Sequence, residues 1–329
     1  MDIYSPVVTG SGAYVVHQNL AEHIPGYRIK PIDPRLGLFT PAMLPYRRNA
    51  DIVHTAPDMG PFLLPKKSCC VLTFHNYYCD PQYLADTTLL RRLYYQTSLN
   101  ANIEASVKRA RCIVAVSAAT ADLVMANVNT RLPCHVIPNG VNTLRFRPAD
   151  SAAVRRPDEK VKVLFAGNPS VRKGSNELMA ISRVLPENTV LQITGGLRDT
   201  VDTRFSNPNI EYLPSVPYEQ MPGVYQGADI LFFPSLREGL SLVLLEAMAS
   251  GLPVVTTNVS SMPELIEHGR GGFLYRPGDT LQAARYIEQL AVDDAMRREM
   301  GEYNREKIVM GYSVETMVAA YYQLFESLL

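Results

Sequence analysis

Ile230-Leu-Phe-Phe233-Pro234-Ser-Leu-Arg-Glu238-Gly239-Leu-Ser241-Leu-Val-Leu-Leu-Glu246-Ala-Met-Ala-Ser-Gly251-Leu-Pro253-Val-Val255 decides the fold class. A β-branched and aromatic run meets a Pro-Ser turn, a polar loop, a helical stretch, a Gly-x-Pro stop and a second β-branched run. The helix predicted over about 242–250 is apolar on every side apart from Ser241 and Glu246, which is the pattern of a buried helix. Strands this apolar, joined through a helix, belong in a parallel sheet covered on both faces.

The same alternation extends outward in both directions. Strands are predicted at Val161–Ala166, Val190–Thr194, Ile210–Tyr212, Ile230–Phe233, Val254–Thr256 and Gly272–Leu274, with helices near 173–184, 218–226, 242–250, 261–267, 280–291 and 293–309. Earlier in the chain come strands at Asp51–His54, Cys70–Phe74, Cys112–Val116 and His135–Ile137, with helices near 12–23, 87–109 and 118–127. Pro138-Asn139-Gly140 and the polar stretch Arg145–Lys160 separate two such series. The expected architecture is α/β, with two Rossmann-like doubly wound domains facing a cleft. The first runs over 1–148, with a C-terminal helix over 313–329 packing back on it, and the second over 149–312. Ligands are expected at the C-terminal strand ends.

The 329 residues suit two domains, and 47% apolar with 19% charged residues excludes a disordered chain. The net charge of zero is a cancellation. Residues 1–150 hold 15 Lys+Arg against 10 Asp+Glu, and residues 151–329 hold 17 against 22. The basic half points to an anionic acceptor or membrane surface. Five cysteines without a CxxC pair fit free thiols in a reducing compartment. The first basic residue is Arg28, no apolar run reaches the roughly 18 residues that span a bilayer, and a cytoplasmic protein is expected.

Glu246 lies within the buried helix. A lone carboxylate there costs several kcal/mol unless it is paired or hydrogen-bonded. The cis-diol of a ribose offers two adjacent donors that one carboxylate accepts together, whereas an interdomain ion pair or a reach to solvent would serve as well. No His/Cys/Asp cluster has metal-ligand spacing, and the absence of GxGxxG after a first strand disfavours a dehydrogenase.

Glu238-x7-Glu246 followed by Ala-Met-Ala-Ser-Gly-x-Pro-Val-Val strongly resembles the nucleotide-sugar half of the retaining glycosyltransferases of family 4, which have the GT-B fold. The resemblance includes Phe165-Ala-Gly167 with Arg172-Lys173-Gly174, Ala228-Asp229-Ile-Leu-Phe-Phe-Pro234-Ser235, and Pro263-Glu264-Leu-Ile-Glu-x-Gly269 with Gly272-Phe273-Leu. In the first half it covers Thr73-Phe-His75-Asn76, Val116-Ser117 and Val136-Ile-Pro138-Asn139-Gly140-Val141.

The resemblance implies a metal-independent sugar transfer from a nucleotide-diphosphate sugar to a glycan, lipid or small-molecule acceptor, in bacterial-type glycan assembly. No cofactor is implied, and nucleic acid is not a partner. Arg172 and Lys173 match the residues that bind the pyrophosphate, where fixed positive charge lowers the barrier to its departure. Glu238 falls to hydroxyls of the donor sugar and Glu246 to the ribose. Gly239, Leu240, Ser241 and Leu242 supply main-chain N–H groups, His75 lies near the reacting sugar, and Gly10-Ser11-Gly12 closes beneath the diphosphate. Gly167 and Asn168 complete the donor turn, although Asn168 stands where many relatives carry Arg. Ser241 stands where Gly is frequent, and Asn76 and Asn142 replace the more usual Asp. A sugar-nucleotide epimerase, a phosphorylase and a non-catalytic nucleotide-sugar binding protein are the alternatives. Leu89-Leu90-Arg91-Arg92-Leu93-Tyr94-Tyr95, with Arg47-Arg48 and Lys66-Lys67, fits weak contact with the inner face of the cell membrane, or else a core-facing stripe with a solvated basic face.

Overall fold

Among the described residues, twelve strands pair in parallel in two six-stranded sheets. The computed structural model describes every residue except 39, 81–83, 85–86, 151–158, 168–169 and 196–208. Part of the polar stretch expected over 145–160 therefore lies outside the described residues. Met1–Gly140 with Val314–Leu329 forms one unit and Val141–Ser313 the other.

The first unit runs β1 (Ile3–Val8), α1 (Gly12–His23), β2 (Tyr27–Ile32), β3 (Ile52–Thr55), β4 (Cys69–Phe74), α2 (Leu89–Tyr94), α3 (Asn100–Val107), β5 (Cys112–Ala115), α4 (Ala118–Asn127) and β6 (Cys134–Val136). Short 3-10 turns at Pro34–Leu38, Thr40–Tyr46, Pro57–Met59 and Pro61–Leu63 fill the connections around β3. A π-turn at Tyr95–Leu99 joins α2 to α3, so the single helix expected over 87–109 is interrupted. The second unit runs β7 (Val161–Phe165), α5 (Ser175–Ile181), β8 (Thr189–Thr194), β9 (Ile210–Leu213), α6 (Met221–Gln226), β10 (Ile230–Phe233), α7 (Leu242–Ala249), β11 (Val254–Thr257), α8 (Met262–Leu265), β12 (Gly272–Tyr275), α9 (Thr280–Val292) and α10 (Asp294–Gly311). The last helix, α11 (Val314–Ser327), belongs to the first unit.

Local chemistry sets these bounds. Ser11, Ser117 and Ser241 cap α1, α4 and α7, each side chain accepting a backbone N–H of the first turn and satisfying a donor the helix cannot. Pro222 stands in the first turn of α6, where its missing N–H costs nothing, so the helix expected from 218 starts at Met221 behind a 3-10 turn at Tyr218–Gln220. The helix expected over 173–184 begins at Ser175 because Gly174, at φ 76, is its cap. A Cβ on Gly174 would sit 2.3 Å from the Pro234 carbonyl oxygen, so only glycine brings these two segments together.

Buried Val163, Phe165, Leu191, Ile193, Ile230 and Phe232 form the centre of the second unit's core, against Leu178 and Ile181 of α5 and Ile287 of α9. Arg305 of α10 donates to the carbonyls of Thr143, Phe146 and Ala249, tying α10 to the end of α7. The first sheet is ordered β2-β1-β3-β4-β5-β6 and the second β12-β11-β10-β7-β8-β9, so in each the order of strand addition reverses once, between β1 and β3 in the first unit and between β7 and β10 in the second. Loops leaving neighbouring strands there diverge to opposite faces, and the opening at their C-terminal ends is where open α/β sheets bind ligands.

Candidate active site

The loops after β7 and β10 carry most of the residues singled out by the sequence. Gly167 leaves β7 at φ 120, and a Cβ there would lie 2.8 Å from Lys173 Nζ. The lysine therefore folds back over the glycine. Lys173 is half-buried, and no ion pair reaches its ammonium among the described residues. Burial lowers its pKa, with Arg172 adding to the effect and Glu238 and Glu246 opposing it. A cation held this way is available to an anionic ligand. Asn168 lies outside the described residues.

Arg172 and Glu238, assigned by resemblance to different parts of a donor, meet each other. Arg172 Nη1 donates to Glu238 Oε1 at 2.8 Å and to the Arg237 carbonyl at 2.8 Å. Ser235 Oγ adds a donor to the same carboxylate oxygen at 3.0 Å. Ser260, the one non-glycine residue at positive φ among the described residues, accepts from Glu238 N at 3.2 Å and donates to Glu238 O at 2.5 Å. Such backbone strain persists only where the surroundings over-determine it. Here it braces the loop that presents Glu238. Gly239, Leu240 and Ser241 follow, buried, and Leu242 opens α7.

Glu246 is 5% exposed. Its partner lies within its own unit, as the Tyr225 hydroxyl donates to Oε2 at 2.8 Å. Burial pushes the Glu246 pKa up to about 7, opposed by hydrogen bonds from Tyr225 and Tyr218 and by the charges of Arg145 and Lys173. Arg145 stacks on the Tyr218 ring at 4.6 Å and donates to the Tyr218 carbonyl at 2.9 Å. Tyr218, Tyr225 and Arg145 were not anticipated from sequence, because they come from 20 to 100 residues away along the chain.

In the first unit, Gly10-Ser11-Gly12 is an exposed loop opening α1, with Gly10 at φ 70. His75 follows β4, and its Nε2 lies 3.3 Å from His17 Nε2. Beneath it runs a buried polar chain. His17 Nδ1 meets Ser5 Oγ at 2.6 Å and Tyr27 Oη at 2.8 Å, and Tyr27 Oη meets His54 Nδ1 at 2.7 Å. His54 Nε2 meets Thr73 Oγ1 at 2.7 Å, which meets Tyr321 Oη of α11 at 3.0 Å. Burial holds the pKa of His75 down to about 4 and that of His54 to about 3, with that of His17 well below its ordinary value, so all three rings are neutral at pH 7. The sequence carried one sign of this chain, a histidine in each of α1, β3 and the end of β4, but not their convergence.

Two families match consecutive stretches of the chain. The one described as Glycosyltransferase Family 4 matches residues 3–145, and the one described as Glycosyl transferases group 1 matches residues 146–307. The chain belongs to the GT-B-fold glycosyltransferases. A D-inositol 3-phosphate glycosyltransferase of Streptomyces avermitilis is 32% identical over 189 residues, which are 50% of this chain and 41% of the relative. The first relatives are matched over 38% to 55% of their own length. The sucrose-phosphate synthase of Thermosynechococcus elongatus shares the fold at a TM-score of 0.82 and 19% identity, covering 100% of this chain and 99% of that one. HepE of Anabaena, solved with UDP and glucose, does so at 0.79 and 17%, covering 99% and 100%.

Among the described residues, no group of three or more His, Cys, Asp or Glu side chains is arranged to hold a metal ion, and no helix is long and apolar enough to cross a membrane. The five cysteines are free thiols. Leu89, Leu90 and Leu93 of α2 are 80%, 81% and 59% exposed beside exposed Arg91 and Arg92, so this stripe does not face the core.

Proposed function

We propose that the chain is a retaining glycosyltransferase of family 4 that moves a sugar from a nucleotide-diphosphate donor to an acceptor held by the first unit. The observation that carries this reading is the half-buried Lys173 ammonium on the glycine turn after β7, with no ion pair among the described residues. As the bond from the sugar's C1 to the β-phosphate oxygen breaks, negative charge grows on the leaving diphosphate. A fixed cation in a partly desolvated site stabilises that charge without reorganising. Lys173 supplies it, and the reaction asks for no metal.

Glu246 accepts the two ribose hydroxyls, and Glu238, oriented by Arg172 and Ser235, accepts from hydroxyls of the transferred sugar. Gly167 and the N–H groups from Gly239 to Leu242 are assigned to the diphosphate, as is the Gly10-Ser11-Gly12 loop of the first unit. His75 is the histidine of the first unit assigned to the reaction. The acceptor oxygen attacks C1 on the face the diphosphate leaves, and its proton passes to the departing phosphate oxygen. Transfer takes place in the cytoplasm, where nucleotide sugars and free thiols both persist.

Release of nucleoside diphosphate from a panel of nucleotide sugars tests this reading. Lys173→Ala should lower turnover by at least about tenfold, since one charge-stabilising donor contributes about a hundredfold or more. Near-wild-type turnover would remove Lys173 from the mechanism. The exposed leucines and arginines of α2 support peripheral contact with anionic lipid at the inner face of the membrane. Co-sedimentation with vesicles, unchanged by their anionic lipid content, would refute that part.

A further inference from the structure

A cavity of about 150 Å³ opens at the switch point of the first sheet, between the ends of β1, β3 and β4. We infer that it is the acceptor pocket, and that it takes a single uncharged ring bearing adjacent hydroxyl groups, Asp58 accepting from one hydroxyl and His75 hydrogen-bonding its neighbour. This rests on the transfer reaction proposed above and names the acceptor's chemistry.

Size comes first. Cavities of about 150 Å³ hold one six-membered ring, so a glycan chain or an acyl chain does not fit inside, although a longer molecule can enter by its terminal ring. The lining is largely apolar, from Val7, Val8, Pro57, Met59 and Ile103, and suits the faces of a ring.

Most polar groups of the lining are already bonded within the protein. Thr55 Oγ1 donates to the Pro6 carbonyl at 2.6 Å, and Ser11 Oγ donates to the Val8 carbonyl while accepting from Tyr14 N. Thr73 Oγ1 is held between His54 and Tyr321, and Asn76 Oδ1 accepts from Tyr77 N. Asp58 is different: its Oδ1 is shielded from solvent and has no hydrogen-bond partner among the described residues. A shielded, unbonded carboxyl oxygen is costly, and a ligand hydroxyl removes the cost.

His75 supplies the second polar contact at the end of the polar chain beneath it. Its Nε2 meets His17 Nε2 at 3.3 Å, and its Nδ1 has no partner among the described residues. Each nitrogen of a neutral imidazole either donates or accepts, and a ring hydroxyl answers both.

Charge decides the class of ligand. Among the described residues no lysine or arginine lines the cavity, and Arg47, Arg48, Lys66, Lys67, Arg91 and Arg92 are all exposed to solvent elsewhere on the unit. A phosphate or carboxylate in the cavity would sit beside Asp58 with no cation to balance it. The excess basic charge of the first half therefore belongs to the outer surface, and the anionic acceptor it suggested does not fit this pocket.

The experiment is saturation-transfer NMR on the full chain. The probes are myo-inositol and methyl α-D-glucopyranoside, against myo-inositol 1-phosphate, glucose 6-phosphate and glucosamine, with nucleoside diphosphate affinity measured separately. An uncharged probe should bind at least tenfold more tightly than its phosphorylated counterpart. Asp58→Asn should weaken it at least fivefold while leaving nucleotide affinity within twofold. Tighter binding of a phosphorylated probe or of glucosamine, or no binding of either uncharged probe by a chain that binds nucleotide, would overturn the inference. These wild-type comparisons decide the matter even if the variant fails to fold. Loss of nucleotide binding by the wild-type chain would instead count against the transfer reaction itself.

Discussion

Replacing Glu246 by glutamine separates the two consequences of burying a carboxylate. Its pKa stands at about 7 against an ordinary value of 4.5, raised chiefly by burial. The folded chain therefore keeps the Glu246 proton over a range of pH in which the unfolded chain has lost it. Stability falls as pH rises from about 4.5 to about 7, and the full cost is present above that. At about 1.4 kcal/mol per pKa unit the cost is slightly more than about 3 kcal/mol. Glu246→Gln carries no charge to bury, so at pH 8 it should be more stable than the wild type by up to about 3 kcal/mol. At 2–4 °C per kcal/mol for a unit of this size, that is a rise in Tm of up to about 10 °C, vanishing below about pH 4.5. Nucleotide affinity should move the other way. Hydrogen bonds to an ionised group contribute about 1.5–3 kcal/mol each, and the amide oxygen replaces a charged acceptor with a neutral one. Losing one such bond is a tenfold to roughly hundredfold loss. Wild-type affinity should rise with pH to a plateau above about 7, and that of the variant should stay flat. Thermal unfolding at pH 4.5 and 8, with calorimetric titration of nucleoside diphosphates and their 2′-deoxy analogues, measures all of this. A variant that binds ribonucleotides as tightly as the wild type, or a wild-type affinity independent of pH, would refute the ribose assignment.

Two other perturbations test the frame that holds the site. Gly174→Ala forces a Cβ to within 2.3 Å of the Pro234 carbonyl oxygen at φ 76; it should cost at least about 1–3 kcal/mol in thermal unfolding and lower turnover by displacing Lys173. A tolerated alanine would show that the turn relaxes freely. Burial keeps His54 and His75 unprotonated in the folded chain down to pH about 3 and 4, whereas the unfolded chain protonates near 6.5, so folding loses stability as pH falls below 6.5. Between pH 6.5 and 5 these two groups cost up to about 4 kcal/mol, with His17 adding to it. Asp58, raised to about 6, offsets only about 1 kcal/mol. Scanning calorimetry should show the first unit's transition dropping in this range, and a transition that stays fixed would contradict neutral buried histidines.

The second sheet was legible because its strands are unbroken apolar runs, VKVLF, ILFF and VVTT, and their positions in the structure agree with the reading to within a residue or two. The first sheet was less so. β1 (IYSPVV) carries Pro6, and β2 (YRIKPI) carries Arg28, Lys30 and Pro31, so neither reads as a buried strand. β2 is an edge, where charge and proline are tolerated, and the β1–β3 ladder runs only over Ile3 and Tyr4, short of Pro6. The buried Glu246 was legible because its signal is local, a carboxylate in an apolar helix, and the Lys173 turn was legible through its resemblance to a family pattern. The Arg172–Glu238 pair, the tyrosines on Glu246 and the histidine chain were not, because strand register and helix packing create them. Asp58 is the clearest case, an ordinary Ala-Pro-Asp turn in sequence whose significance lies in the cavity it borders.

The anomeric configuration of the transferred sugar, read by proton NMR on product formed from an α-linked nucleotide sugar and an uncharged polyol acceptor, tests the central claim most directly. The account expects an α-linked product, formed with equimolar release of nucleoside diphosphate. A β-linked product, or consumption of donor without transfer to any acceptor, would contradict it.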